Sequence, residues 1–294
     1  MTFKPKITVV GSINMDLVTM TDKLPNKGET LLGQQFQMNP GGKGANQAIA
    51  AARLGARTSM IGCVGQDAFG KQLLHNLEEN GVNVSNVEPV TDVVTGTATI
   101  LVSDQDNRII VTPGANDSVT VDFIESKREV IANSDVVILQ LEIPLDSVIR
   151  AIEIAKEHHV KVILNPAPIR ELPDTLIRQI DYVTPNEHEE TLLMKNRDLN
   201  ELQKKLIVTR GESGVSFYQN DKRIDVPAFK VDVKDTTGAG DAFNGGLAVA
   251  LSKGLSLREA CIFSSAVAAI SITELGAQTG MPTEEQVKTF LTNN

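Results

Sequence analysis

A chain of 294 residues with 41 % hydrophobic content carries enough apolar material for one large α/β domain or two smaller ones. A net charge of −9 argues against a nucleic-acid binder, which needs a basic face, but leaves a nucleotide substrate open, because backbone amides and Mg²⁺ hold phosphates without many lysines. No apolar run reaches the roughly 18–20 residues of a membrane span, and MTFKPKITVVGSIN lacks a signal peptide's apolar segment and cleavage site, so the expected compartment is the cytoplasm.

Lys6–Val10 (KITVV) is a β-branched run ending at Gly11 and reads as a buried strand opening a Rossmann-like sheet. Residues 14–37 contain a turn at Leu24-Pro25-Asn26-Lys27-Gly28 between two extended runs, which predicts a hairpin-like excursion. Pro40-Gly41-Gly42-Lys43-Gly44 leads into an Ala-rich helix over 45–54, closed by Gly55. A strand over 58–64 and a helix over 67–79 follow. Residues 95–102 and 108–111 flank Ser103-Asp104-Gln105-Asp106-Asn107 as a second hairpin. Thereafter helices over 121–131, 145–157, 174–179 and 187–194 alternate with strands over 136–141, 161–165, 182–184 and 206–209. That rhythm means βαβ units and a mainly parallel sheet with helices on both faces. A hairpin over 215–218 and 222–226 and two apolar helices, over 239–253 and 257–273, complete the chain. The expectation is a single α/β domain over 1–294, with a small β-sheet lid built from segments 14–37 and 95–111. Cys63 and Cys261 read as reduced core residues, and His75, His158, His159 and His188 show no metal-ligand spacing.

The stretch Lys234-Asp235-Thr236-Thr237-Gly238-Ala239-Gly240-Asp241-Ala242-Phe243-Asn244-Gly245-Gly246 runs from a small-residue turn into a helix. Its glycines permit tight geometry, and its first-turn amides with the helix dipole form an anion site. Asp241, in the same turn, can take a proton from a nucleophile facing the anion. The competing reading is that Thr237 or Asp241 merely caps the helix. Neither a GxxxxGK[ST] loop nor a GxGxxG after the first strand is present, so phosphate chemistry must rest on another architecture.

Gly41-Gly42-Lys43-Gly44-Ala45-Asn46-Gln47-Ala48, continuing through Leu54-Gly55 to Gly65-Gln66-Asp67-Ala68-Phe69-Gly70, resembles the N-terminal signature of the PfkB-type carbohydrate kinases. The stretch from Asp235 to Gly246 resembles their C-terminal signature. The two stand in the expected order, and the resemblance runs over residues 10–278. It implies phosphoryl transfer from MgATP to the O5 hydroxyl of D-ribose, with Asp241 as general base and the amides of Gly238, Ala239 and Gly240 as anion hole. It places Asn14, Asp16, Gly42, Lys43, Asn46 and Glu142 on the sugar. On the nucleotide it places Asn186, Thr209, Gly211, Gly214, Gly240 and Ser265, where Ser265 has an equally good packing explanation. Asn186 and Glu189 would organise Mg²⁺, mostly through water. The competing reading is that Glu189 and Glu190 form an exposed helix face. A monovalent cation, K⁺, would lie by Asp235, Thr237, Ser271, Glu274, Gly276 and Gly280. The exposed edges of the lid suggest a homodimer. Two rivals stand beside this reading: a related family kinase acting on a nucleoside, fructose or a sugar phosphate, and a sensor that binds sugar or nucleotide without turnover.

Overall fold

The computed structural model describes residues 4–103, 106–195 and 199–294. Strand β1 (Lys6–Val10) lies in the middle of the main sheet because nearly every position in it is apolar or small: Val9 and Val10 are fully buried, as a strand covered on both faces requires. The chain then leaves this sheet through β2 (Asn14–Met20) and β3 (Gln35–Gly41) before returning as helix α1 (Lys43–Arg53). Next come β4 (Arg57–Gly65), α2 (Ala68–Glu79), β5 (Asn83–Val90), β6 (Gly96–Ser103) and β7 (Asp106–Thr112). The middle of the chain supplies α3 (Val121–Ser126), α4 (Arg128–Ala132), β8 (Val136–Leu139), α5 (Leu145–Glu157), β9 (Lys161–Leu164), α6 (Asp174–Gln179) and β10 (Tyr182–Val183). It ends with α7 (Glu187–Met194), α8 (Leu199–Gln203), β11 (Ile207–Thr209), β12 (Val215–Gln219), β13 (Lys222–Val226), α9 (Ala239–Ser252), α10 (Leu257–Ser271) and α11 (Glu284–Asn293).

Six strands form the main sheet in the order β10-β9-β8-β1-β4-β5, and every pairing in it is parallel. Alternate residues face opposite layers, as the two-residue period of a strand dictates. Ile7 and Val9 of β1, with Val136 and Ile138 of β8, join the core under α1, α9 and α10. Val10, Val137 and Leu139 join the core on the other face, with Val148, Ala151 and Ile152 of α5. The expected α/β architecture with helices on both faces is what the chain adopts.

The excursions pair as a separate four-stranded sheet, β3-β2-β6-β7, in which β2 runs antiparallel to β3 and parallel to β6. Asp104 and Gln105 of the predicted second turn lie outside the described residues. A three-stranded antiparallel sheet, β11-β12-β13, continues the main sheet through isolated parallel bridges at Val183–Leu206 and Asn186–Thr209. Three expectations need correction. The single helix over 121–131 is two, α3 and α4, separated at Lys127 (φ −104°, ψ 12°). β8 ends at Leu139, because Gln140 turns away to bond the side chain of Gln47. β5 and α11 lie outside the expected elements: β5 is an edge strand containing Pro89, too polar and irregular to carry a burial signal. α11 is announced only by the Thr283/Gln286 capping box at its start.

Candidate active site

The carboxyl ends of the parallel strands bring polar residues together, as open α/β sheets do. β1 delivers Gly11 and Ser12, β8 delivers Gln140 and Glu142, β9 delivers Asn165, and β10 delivers Thr184. Two helices begin against this edge. α1 starts after Gly42, whose φ of 89° and whose approach to β2 both demand glycine: a Cβ there would sit 2.7 Å from the Asn14 nitrogen. α9 starts after Gly238, at φ 78° and ψ 0°. A Cβ on Gly238 would lie 2.7 Å from the carbonyl oxygen of Ala277.

The α9 start removes the capping reading of the turn. Gly238 is the N-cap and no side chain caps the helix, so neither Thr237 nor Asp241 does the capping. Gly240 is exposed, and a Cβ built on it would meet nothing within 4 Å. An uncapped helix N-terminus therefore faces open space, as an anion site requires.

Asp241 is 6 % exposed at the base of this turn. Its Oδ2 accepts from Asn46 Nδ2 (2.9 Å) and its Oδ1 from Gln47 Nε2 (2.9 Å). Burial pushes its pKa up, while the Lys43 ammonium and the two amides work in the opposite direction. Lys43 mirrors this. Burial alone would lower its pKa, but Asp241, Glu142, Glu189 and Asp16 hold it above the usual lysine value. One cation therefore serves four carboxylates from four segments.

On the opposite wall, Asn14 Oδ1 accepts from Asn116 Nδ2 (2.7 Å), which fixes the Asn14 amide. Glu142 Oε2 accepts from Ser12 Oγ (2.5 Å) and from the Lys43 backbone N–H (3.3 Å). Asp16 packs its carboxylate against Gly41, where no side chain would fit. Burial first, then the charges of Glu142 and Asp241, raise its pKa to about 7. The native state therefore binds more protons than the unfolded chain between pH 4 and pH 7, and Asp16 erodes stability as pH rises through that window. Asp16→Asn is expected to stabilise the ligand-free protein by about 1–2 kcal/mol at pH 8, with the gain vanishing near pH 4. Denaturant melts of both proteins across this range check it.

Asn186 and Glu189 form a reciprocal capping box on α7: Glu189 N–H donates to Asn186 Oδ1 (2.8 Å) and Asn186 N–H to Glu189 Oε2 (2.9 Å). Glu189 is 8 % exposed and Glu190 pairs with Arg210 at 2.8 Å, so the exposed-face reading fails for both. Arg210 also reaches Glu187 and Ser216, which gives it a structural part that its sequence position does not announce. Thr209 lies beside Asn186 through its bridge, and Gly211 (φ 52°) and Gly214 (φ 93°) shape the following turn. Ser265 is buried on α10. Asp235 accepts from Thr237 N–H (2.9 Å) and Gly276 N–H (2.8 Å), tying the α9 turn to the segment after α10. These bonds outweigh burial and lower its pKa. Gly280 packs on the Ser271 carbonyl. Glu274 stands apart, exposed and paired with Lys234 at 3.4 Å.

The structure thus groups Asn14, Asp16, Lys43, Asn46, Glu142 and Asp241 around one space. It also places there residues the sequence reading did not single out: Ser12, Gln47, Asn116, Gln140, Asn165 and Gln278. Ser12, Gln140 and Asn165 follow strand ends and Gln47 lies inside the Ala-rich α1, whereas Asn116 and Gln278 sit in turns that carry no such signal.

The family model for pfkB family carbohydrate kinases matches residues 4–284. The chain is a pfkB family carbohydrate kinase. The kinase is 44 % identical over 97 % of its length to the ribokinase of Bacillus subtilis, covering 99 % of that protein. It is 47 % identical to the ribokinase of Lactococcus lactis, with 97 % of each chain covered. Its fold is similar to the Arabidopsis thaliana ribokinase solved with ribose and ATP, at a TM-score of 0.90 and 33 % identity, over 98 % of this chain and 99 % of that one.

Proposed function

We propose that this kinase transfers the γ-phosphoryl group of ATP to O5 of D-ribose, giving ribose 5-phosphate and ADP. The observation that carries the reading is Asp241, a buried carboxylate in the first turn of α9, directly beside helix amides that no side chain caps. Asp241 accepts the O5 proton as the hydroxyl oxygen bonds to phosphorus and the bond to the ADP oxygen breaks. The amides of Gly238, Ala239 and Gly240 take the charge that spreads over the transferring oxygens. Catalysis is positioning and electrostatics rather than covalent chemistry by the protein.

Asn14, Asp16, Gly42, Lys43, Asn46 and Glu142 hold the sugar hydroxyls: carboxylates accept, and the amides of Asn14 and Asn46 both donate and accept. The Arabidopsis relative binds ribose and ATP on this same fold, and the unphosphorylated sugar fits the three carboxylates of the wall better than a sugar phosphate would. Asn186, Thr209, Gly211, Gly214, Gly240 and Ser265 lie along the nucleotide. Among the described residues no three His, Cys, Asp or Glu cluster as a metal cage. Mg²⁺ would arrive with the ATP phosphates, with Asn186 and Glu189 holding its waters; the capping box leaves one Glu189 oxygen for this. Bound there, Mg²⁺ neutralises phosphate charge. The lowered pKa of Asp235 keeps a full negative charge beside the α9 turn, which suits K⁺ shared with Thr237, Ser271, Gly276 and Gly280; the exposed Glu274 could contribute only its backbone.

In this reading the chain works as one unit in the cytoplasm, with the β3-β2-β6-β7 sheet as a lid that excludes water and limits ATP hydrolysis. Phe36, Met38 and Ile110 share one face of that sheet and expose 48–64 % of their surface, a patch suited to a second lid in a homodimer. Ile110→Asp is expected to convert a sedimenting dimer to monomer at micromolar concentration. A dimer in both proteins would remove the lid as the interface.

A coupled ADP-release assay across ribose, deoxyribose, fructose and adenosine, with and without K⁺, tests the reading. Ribose is expected to give the highest kcat/KM, and the rate to rise with K⁺. Preference for adenosine or fructose would return the related-kinase reading, and binding without ADP release would return the sensor.

A further inference from the structure

Asp241 is held by two arms of side-chain amides, both rooted in α1. In the first, Asn46 Nδ2 donates to Asp241 Oδ2, and Asn46 Oδ1 in turn accepts from Gln278 Nε2 (2.8 Å). In the second, Gln47 Nε2 donates to Asp241 Oδ1, and Gln47 Oε1 accepts from Gln140 Nε2 (2.7 Å). The inner amides contact the carboxylate. The outer amides, Gln278 and Gln140, bond the inner ones and make no hydrogen bond to Asp241. Gln47 and Gln140 are both fully buried, and Gln278 is 8 % exposed.

An amide can sit in either of two orientations, and what fixes it is the polarity of its neighbours. An inner amide that turned over would present oxygen to Asp241, a contact that only a protonated carboxyl tolerates. Each outer amide blocks that inversion by donating to the inner oxygen. The outer amides are themselves held. Gln278 Oε1 accepts from Asn76 Nδ2 (2.8 Å), and the carbonyl of Gln278 accepts from Arg53 Nη1 (2.8 Å). Gln47 has a second acceptor for its amide hydrogens, Asn165 Oδ1 at 3.3 Å, whose own amide donates to the carbonyl of Thr184. Gln140 Oε1 has no partner and lies over Gly11. Turning Gln140 over would leave its donor without a protein partner there and set its oxygen against Gln47 Oε1. A buried donor without an acceptor and two oxygens facing each other are both disfavoured, so the arm keeps its sense.

We infer that Gln140 and Gln278 are positioning residues that act through Gln47 and Asn46 to hold Asp241 as an ionised, acceptor-only carboxylate. The inference rests on the reading of Asp241 as general base. Lys43 from α1 and Glu142 from the loop after β8 also bear on Asp241, as does Asp16 from β2. Lys43 favours the ionised form and Glu142 opposes it, while the Asp241 charge in turn raises the pKa of Asp16. The two arms shift that balance toward ionisation and keep the base available toward lower pH.

Reversing the polarity of an arm is the sharpest test. In Gln278→Glu, a carboxylate replaces the outer donor at nearly the same volume. Asn46 then turns its Nδ2 outward and shows oxygen to Asp241. In Gln278→Met the lock is lost without being reversed. Gln140→Met does the same on the other arm and guards against a single variant that folds poorly. The readout is the pH profile of kcat with ribose and saturating ATP, alongside thermal melts. The acid limb is expected to move up by about one pH unit in both Met variants and by roughly two in Gln278→Glu, with kcat recovered on the alkaline side. Ribose KM at that alkaline plateau is expected to change less than about threefold, a much smaller effect than that on kcat at pH 6. An acid limb unmoved in all three folded variants, with any loss equal at every pH, would overturn the inference. Asp241→Asn, run in parallel, separates the two claims: normal turnover there would overturn the assignment of the base itself.

Discussion

Asp241→Asn is expected to lower kcat by at least about two orders of magnitude, a loss near 2.7 kcal/mol of transition-state stabilisation. The substitution preserves volume and removes the acceptor that the O5 proton needs. It also places an amide between Asn46 Nδ2 and Gln47 Nε2, so that its nitrogen must confront one donor or the other. Lys43 loses the first of the carboxylates that sustain its charge. The fold should survive, because burial already raises the Asp241 pKa and the neutral amide escapes that desolvation cost. Steady-state kinetics with ribose, paired with a thermal melt, check both halves. Turnover within a few-fold of the parent would remove Asp241 from the chemistry.

Gly238→Ala is the second large effect, and it acts through the backbone. Gly238 sits at φ 78°, where a side chain costs about 1–2 kcal/mol, and its Cβ would lie 2.7 Å from the Ala277 carbonyl oxygen and 2.9 Å from the Ala277 Cα. Neither neighbour is the tip of a flexible chain, so the α9 turn or the 271–280 segment must move. The amides aimed at the γ-phosphate move with it. We expect kcat to fall about 10²-fold, as for loss of an oxyanion donor, and Tm to fall by roughly 3–8 °C. Gly240→Ala separates the two consequences. Its Cβ meets nothing within 4 Å in the ligand-free protein, so Tm should hold while the added methyl intrudes on the phosphate space and lowers kcat. Equal Tm losses at both positions would contradict this picture of the turn.

Most of the fold was legible because its signals are local. Lys6–Val10 reads as a buried strand from β-branching alone, and helices α5 and α6 start directly after prolines while α7 starts at the Asn186 capping box. β5 was not legible, because an edge strand with half its residues exposed and a proline inside it leaves little periodicity. The break at Lys127 was missed for a different reason: α3 and α4 share one apolar stripe, and only backbone angles separate them.

The site divided along the same line. Asn14, Asp16, Lys43, Asn46, Glu142 and Asp241 sit in glycine-rich or strand-end motifs that resemblance could pick out. Gln140, at the end of β8, and Gln278, in the turn after α10, lie in such segments too, but nothing local marks them. Each matters only through a second amide from a distant segment, 93 residues away for Gln140 and Gln47 and 232 for Gln278 and Asn46. No local pattern encodes a pairing of that range. The arrangement of Asn186 and Glu189 was half legible: the spacing N-x-x-E announces a capping box as readily as a phosphate site, and the structure makes the first.

The central claim is that this chain phosphorylates ribose on O5 with ATP. The direct measurement is the NMR spectrum of the product formed by the purified protein from ¹³C-labelled D-ribose, ATP, Mg²⁺ and K⁺. Stoichiometric ADP and carbon–phosphorus coupling confined to C4 and C5 are expected, with no product from the Asp241→Asn protein over the same interval. Coupling at C1, or ADP formed without a phosphorylated sugar, would contradict it.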